Sequence, residues 1–410
     1  MRILYLCAYM SPQEHELRFG WPSHGVAPNP KVECIVAALS RMGHGVTVLS
    51  SASHSGWPPR VLRERTEVTA HTAIPFTVIH PKLLCWPRVG GAARLLSARR
   101  VALATAEKTR PDVILCYNTY AFEGLAAAAV AKRFRIPMIL EIEDLPLCRT
   151  TEFWNPKPAL DSLFWDSTVE LASAYTAVNE TVLTKLPGGR PSFLFPGVLD
   201  ERLLATERDQ RPFAGERRLL GYFGALSYAK GCEVLLDAAP YLPSEWSLLI
   251  TGSGPLSGAF ERLSRLRPDK VKFLGSLPKA ELYRAMRSVD ATVIPPEKLT
   301  GNSAGVFPFK MCEYLVAGSH VISAHPATGG GVDLSFVRRW DGSTKGLLEQ
   351  LGRAKDSYES EGIMRRRAAE HILSEYSMAA VSAKLEALLR AITPSAPHRQ
   401  SRSKGQPVPC

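Results

Sequence analysis

Three groups of charged residues stand out against apolar surroundings. In "FPFKMCEYLVAG" (307–318) Lys310 and Glu313 are three residues apart, so on a helix they share one face near its positive N-terminal end. Alone, the pair reads as an exposed ion pair on a buried helix that stops at Gly318. A carboxylate so placed can also accept two hydrogen bonds from a vicinal diol such as a ribose. In "GYFGALSYAKGCEVLLDA" (221–238) Lys230 precedes Gly231 where a helix should begin around 231–233, a setting that suits an anion such as a pyrophosphate. Gly224 and Gly231 would admit backbone close to that anion, although a lone Lys-Gly is more often a solvated turn. In "MILEIEDLP" (138–146) Glu141, Glu143 and Asp144 crowd one strand end. They must be solvated, paired or partly protonated, and such a carboxylate can orient a hydroxyl or take its proton. Simple capping and water binding explain the cluster equally well.

Two further turns follow apolar runs. "LLITGSGP" (248–255) brings Gly252 and Gly254 but no third glycine, which disfavours a dinucleotide fingerprint. "VKFLGSLP" (271–278) brings Gly275, Ser276 and Leu277, whose backbone amides can read a base edge or form a plain turn.

The elements that must position these residues alternate in a β-α-β rhythm: "RILYLCAY", "KVECIVAALSRMG", "GVTVLS", then "DVILCY", "AFEGLAAAAVAKRFR", "PMILEIED". The rhythm restarts at "RRLLGYFGAL" and runs through "SLLITGSG", "VKFLGSL", "ELYRAMRSVD" and "ATVIPP". It predicts an α/β chain with two parallel sheets covered by helices, and a length of 410 residues fits two domains. The apolar pattern lapses at "LFPGVLDERLLATERDQRPFAGE" (194–216), so the expected domains are 1–200 and 201–376. A helix over 377–393 carries an apolar stripe of Val381, Leu385, Leu388 and Ile392, and a polar, Pro- and Ser-containing tail, 394–410, is expected to be disordered. Open α/β sheets bind ligands outside the carboxyl ends of their strands, where all these charged groups fall.

Composition narrows the function. The eight cysteines form no C-x-x-C pair, which argues against zinc and against a disulfide framework. No apolar run is long enough to span a bilayer, and "MRILYLCAYMSP" reads as a first buried strand rather than a leader peptide. A net charge of +11 favours an anionic partner. Nucleic acid is disfavoured, because aromatic and basic residues are not interleaved in a recognisable module. Between Glu67 and Glu107 no acid occurs, while Lys82, Arg88, Arg94, Arg99 and Arg100 alternate with Leu83, Leu84, Trp86, Leu95 and Leu96. This stretch suits an anionic membrane surface or an ordinary helix with a solvated basic face.

Together, G-A-L-S-Y-A-K-G (224–231), L-I-T-G-S-G-P (249–255), V-K-F-L-G-S-L (271–277) and F-P-F-K-M-C-E-Y-L-V-A-G (307–318) resemble the retaining glycosyltransferases of family 4. The resemblance extends to "LSRMGHGVTVLS" as a first crossover, to "AYTAVNETVLTKL" as the last strand and helix of the N-terminal domain, and to "YSMAAVSAKLEALL" as a helix bracing that domain. It implies the GT-B fold, with two Rossmann-like domains facing each other across a cleft and a C-terminal helix returning to the first. It also implies that Lys230 holds a donor diphosphate and Glu313 its ribose, with backbone at Gly275, Ser276 and Leu277 near the base. Gly224, Gly252, Gly254, Gly305, Val306, Phe307 and Lys310 complete the donor site. The N-terminal loop "FGWPSHGVAPNPK" would bring Gly25, and secondarily Lys31, to the donor diphosphate and the acceptor; His24 is a further candidate.

Departures from the family pattern are Ala225 where an arginine is usual, Gly305 where the first of two glutamates is usual, and Glu143, followed by Asp144, where many members carry a histidine. Lys230, Glu313, Glu143 and Asp144 are thus the candidate catalytic groups. The implied activity is retaining transfer from a UDP- or GDP-sugar to a carbohydrate or lipid-linked acceptor for surface polysaccharide or glycolipid. No cofactor or metal is expected; the location would be cytoplasmic, with possible peripheral contact on the inner face of the cell membrane. Ala225 and Gly305 leave open a catalytically weakened nucleotide-sugar-binding subunit, and the fold leaves open another activity such as an epimerase.

Overall fold

The computed structural model describes residues 1–19, 29–51, 60–71, 74–85, 90–143, 157–205, 217–297, 307–325, 333–357 and 362–393. Parallel strands covered on both faces need apolar side chains at nearly every position. Ile3–Cys7, Val113–Tyr117 and Met138–Ile142 are accordingly buried throughout.

The N-terminal half contains β1 (Arg2–Cys7), β2 (Gly45–Ser50), β3 (Arg60–Leu62), β4 (Arg65–His71), β5 (Ile74–His80), β6 (Leu83–Cys85), β7 (Val113–Tyr117), β8 (Met138–Ile142), β9 (Ala174–Ala177) and β10 (Ser192–Leu194). Eight of them form one sheet in the order β10-β9-β8-β7-β1-β2-β5-β4, parallel except for the β4–β5 pair; β3 and β6 pair separately. Strand order reverses between β1 and β7, so the crevice of this sheet lies at their carboxyl ends. "AYTAVNETVLTKL" is not the last strand-helix unit, because β10 pairs beyond β9 at the sheet edge. The 67–107 stretch is not one amphipathic segment either: Leu83–Cys85 is a strand, Gly90–Thr109 a helix, and Trp86 and Arg88 lie outside the described residues.

The C-terminal half holds β11 (Arg218–Phe223), β12 (Trp246–Thr251), β13 (Val271–Phe273), β14 (Ala291–Ile294), β15 (His320–Ser323) and β16 (Val337–Arg339). All are parallel, in the order β13-β12-β11-β14-β15-β16, with the reversal between β11 and β14.

Helix Asn29–Arg41 buries Val32, Ile35, Val36 and Leu39, the i, i+3, i+4, i+7 stripe of an amphipathic helix. Helix Met378–Ile392 buries Val381, Leu385 and Leu388 in the same cluster as that stripe and as Ile3 and Tyr5 of β1. Its Glu386 also meets His44 Nε2 at 2.9 Å, just after Gly43 turns the chain into β2. The C-terminal helix therefore belongs structurally to the N-terminal sheet. A second core is continuous through both halves, running from Leu4 and Leu140 to Met311 and Leu315 by way of Leu199, Leu203 and Tyr376. Residues 195–205 of the crossing segment are thus packed, with Leu199 N–H donating to the Tyr376 carbonyl at 2.9 Å. Among the described residues no helix is long and apolar enough to cross a membrane. The tail at 394–410 lies outside them.

Candidate functional site

At the carboxyl end of β11, Gly224 leaves the sheet with φ +149°, and Lys310 of helix Lys310–Ala317 reaches it from the next layer. Lys310 Nζ donates to the Phe223 carbonyl at 3.2 Å and lies 5.2 Å from the Tyr222 ring centre. Tyr314 OH donates to the same carbonyl at 3.2 Å. Lys310 and Glu313 therefore do not form an exposed ion pair. Burial, then the charge of Lys230, lowers the Lys310 pKa; burial raises that of Glu313 against the pull of Lys310 and Lys279.

Lys230 ends a short 3-10 turn, Tyr228–Lys230, that Ser227 caps; helix Glu233–Ala238 follows. Its amine pairs with Glu297, which follows β14 across the strand-order reversal. Glu297 in turn lies 3.7 Å from His325 Nε2. The glycines here serve the backbone first. A side chain at Gly252 would meet the Gly224 carbonyl oxygen at 1.8 Å, and one at Gly254 the Leu226 carbonyl oxygen at 2.3 Å. The close approach is between neighbouring strand-end loops, so glycine there is explained without a ligand. Gly252 N–H donates to the Gly275 carbonyl at 2.8 Å; Ser276 is exposed and Leu277 half-buried.

On the facing half, Glu141 is 1% exposed and Tyr5 OH donates to its Oε2 at 2.7 Å. Lys31 Nζ lies 3.0 Å from Glu141 Oε1 and also pairs with Glu143. Glu143 N–H donates to Asn118 Oδ1 at 2.7 Å, fixing its backbone just past β8. The acids therefore avoid mutual repulsion by sharing a lysine. A cavity of about 470 Å³ separates the halves, lined by Lys31, Tyr117, Tyr120 and Glu143 on one side and Lys279, Tyr283, Phe307 and Glu313 on the other. Asp200, between them, accepts from Tyr283 OH at 2.8 Å, Lys279 Nζ at 3.3 Å and Arg202 Nη2 at 2.6 Å. Burial opposes its charge, but the Arg202 hydrogen bonds and Lys279 outweigh it and hold Asp200 well below the usual carboxylate range.

The two halves match, in chain order, a glycosyl transferase 4-like domain over residues 27–187 and glycosyl transferases group 1 over 205–332. With both domain models matched, the chain is a glycosyltransferase of the GT4 type. No curated protein matches it. Among solved structures, it resembles a sucrose-phosphate synthase from Thermosynechococcus elongatus, with a TM-score of 0.69, 16% identity, and coverage of 95% of this chain and 98% of that one. HepE of Anabaena, in complex with UDP and glucose, gives a TM-score of 0.61 at 16% identity, covering 95% and 99%. The lipopolysaccharide outer core galactosyltransferase WaaB gives 0.60 at 12%, covering 95% and 99%. These likenesses establish the GT-B architecture of this glycosyltransferase, with a parallel sheet in each half.

Of the glycosyltransferase residues singled out in the sequence, Glu143, Phe307 and Glu313 line the interdomain cavity, and Lys230, Lys310 and Gly224 gather at the β11 end. Asp144, Gly25, His24, Gly305 and Val306 lie outside the described residues. Sequence reading missed Glu297 as the partner of Lys230, Lys31 as the partner of the acids, and the Asp200–Lys279–Tyr283 cluster. The one available signal was charge complementarity, a lysine in the first turn of helix Asn29–Arg41 against acids ending β8, and it carries no spacing rule across a separation of 112 positions.

Proposed function

We propose that this glycosyltransferase moves a sugar, with retention, from a UDP- or GDP-sugar to an acceptor hydroxyl in surface polysaccharide or glycolipid synthesis. The observation that carries the donor half is that Lys310, on the Phe223 carbonyl at the end of β11, and Lys230, on Glu297 after β14, flank the strand-order reversal of the C-terminal sheet, with Glu313 in the cavity lining. Breaking the glycosyl–phosphate bond leaves negative charge on the diphosphate, and two amines beside a strand end stabilise it as it forms. Glu313 accepts the ribose hydroxyls, backbone at Gly275–Leu277 faces the base, and Glu143 accepts a hydrogen bond from the acceptor hydroxyl as the new bond forms on the same face. HepE, a fold relative, binds UDP and glucose, and WaaB acts in a lipopolysaccharide outer core; both support this reading. In it, residues 1–200 are the acceptor side and 201–376 the donor side, and the basic face around Arg99 and Arg100 rests on anionic lipid.

The test is a thermal-shift screen of UDP-, GDP- and ADP-sugars, followed by NMR of the product's anomeric centre. A ligand that binds only the folded chain raises its melting point. The expected result is a rise with one uridine or guanosine sugar and a product of unchanged anomeric configuration. An inverted product, or a shift with none of these sugars, overturns the proposal.

A further inference from the structure

Residues two apart in an extended chain point the same way, so Glu141 and Glu143 project together from the end of β8. Such a pair, screened from water, would hold a proton between them unless a cation intervened. Lys31 supplies it. The amine pairs with Glu143, lies 3.0 Å from Glu141 Oε1, and donates to the Phe195 carbonyl at 2.9 Å, while resting 4.1 Å from the Phe195 ring centre. The ammonium thus donates to Glu143 and to the Phe195 carbonyl, with the Glu141 carboxylate at ion-pair distance. The Lys31 charge is thus met by two acids of its own half, where the N-terminal loop had suggested the donor diphosphate and the acceptor. Burial works against its charge, but Glu143 and then Glu141 outweigh burial and raise the lysine above its ordinary value.

The anchoring is asymmetric. Glu141 is buried and tied to Tyr5, whereas Glu143 lines the cavity that Glu313 lines from the other half. We infer that Lys31 is the positioning residue of the acceptor side, holding Glu143 ionised and aimed into the cleft while Glu141, Tyr5 and Phe195 hold Lys31. This rests on the acceptor role proposed for Glu143. Among the described residues, the other titratable groups lining that cavity are Tyr117 and Tyr120 on its own half, Cys34 on the helix of Lys31, and Asp200, Lys279, Tyr283 and Glu313 across it.

The experiment measures kcat/KM for the acceptor against pH, at saturating donor, in the unaltered chain, Lys31→Met and Glu141→Gln. Removing the lysine charge makes Glu143 easier to protonate, so the acid limb of Lys31→Met moves to higher pH, by about one unit or more. Removing the neighbouring acid makes it harder to protonate, so the acid limb of Glu141→Gln moves to lower pH. At neutral pH Lys31→Met loses about tenfold or more in acceptor kcat/KM, while the UDP-induced thermal shift stays unchanged. A purely structural role cannot move the two limbs in opposite directions. If Lys31→Met does not fold, Glu141→Gln decides alone, because the amide oxygen still accepts from Tyr5. Limbs that stay put, limbs that move together, or loss of UDP binding in Lys31→Met overturn the inference while leaving the transferase reading intact. Absence of transfer by the unaltered chain defeats both.

Discussion

The Lys230 amine is bound by the Glu297 carboxylate, so the cation best placed for a donor diphosphate already has an anionic partner. A diphosphate must therefore displace Glu297. Lys230 is 41% exposed, and half-exposed ion pairs contribute little stability. Glu297→Gln is expected to leave the melting point nearly unchanged and to tighten UDP binding about two- to tenfold, measured by calorimetry. Lys230→Ala should weaken UDP about tenfold or more. Weaker UDP binding by Glu297→Gln would instead make Glu297 a donor ligand.

Glu313 should show the opposite demands of stability and function. Burial raises its pKa, Lys310 and Lys279 pull it down, and Asp200 pushes it up, with a net rise. A carboxyl raised on folding contributes stability fully below its unfolded value of about 4.3 and loses it as pH climbs through the folded value. That contribution therefore shrinks as pH rises from 4 towards 7. Glu313→Gln should melt roughly 1–3 °C higher at pH 7, with the gain shrinking towards pH 4. Turnover should fall about tenfold or more as the ribose loses a charged acceptor. A lower melting point at pH 7 would contradict this account.

The fold was legible where burial on both faces left one reading. "VILCY" is a continuous apolar run, "MILEI" and "LLITG" are apolar but for Glu141 and Thr251, and each holds a strand. The β4–β5 hairpin was not legible: "RTEVTAH" sits at the sheet edge with Val68 72% exposed, so its residues answer to solvent more than to a core. Helix Pro12–Phe19 was missed for a similar reason, being mostly polar with ion pairs from Glu14 to Arg18 and Arg65. At the site, Lys310 was legible as a helix-start lysine, but its turn towards the Phe223 carbonyl depends on how two layers pack. The Lys31–Glu143 pair likewise joins segments that only the folded sheet brings together.

Because helix Met378–Ile392 packs with Ile35 and Tyr5, its truncation should destabilise the half of the protein remote in sequence. Leu385 is 2% exposed there, and Leu385→Ala is expected to cost about 2–4 kcal/mol. Hydrogen exchange should locate the loss in β1 and helix Asn29–Arg41. A loss confined to β11–β16 would mean that the helix braces the other sheet.

Leu96 is 68% exposed on helix Gly90–Thr109, with Arg99 and Arg100 also exposed. An apolar residue flanked by cations suits the interface of an anionic bilayer, at about 1 kcal/mol per basic residue. Co-sedimentation with phosphatidylserine vesicles should exceed that with phosphatidylcholine and fall several-fold in Arg99→Glu/Arg100→Glu. Equal pelleting with both lipids would remove membrane contact from the proposed function.

Transfer should proceed without a divalent ion, since Lys230 and Lys310 supply the positive charge that a metal gives the leaving diphosphate elsewhere. Among the described residues, Glu14, Glu67 and His80 form the cluster with metal-ligand spacing. Glu14 there meets Arg18 at 2.5 Å and Arg65 at 3.1 Å, and Glu67 accepts from Ser11 and lies 2.9 Å from His80 Nε2. Two guanidiniums beside the carboxylates make a cation there costly. The cluster joins helix Pro12–Phe19 to the β4–β5 edge, whereas the strand-end amines lie in the other sheet. Turnover in excess chelator should match turnover in magnesium within about twofold, and Lys230→Ala should not be rescued by added magnesium. Activity abolished by chelator and restored by one metal would show that the two amines do not suffice to hold the departing diphosphate.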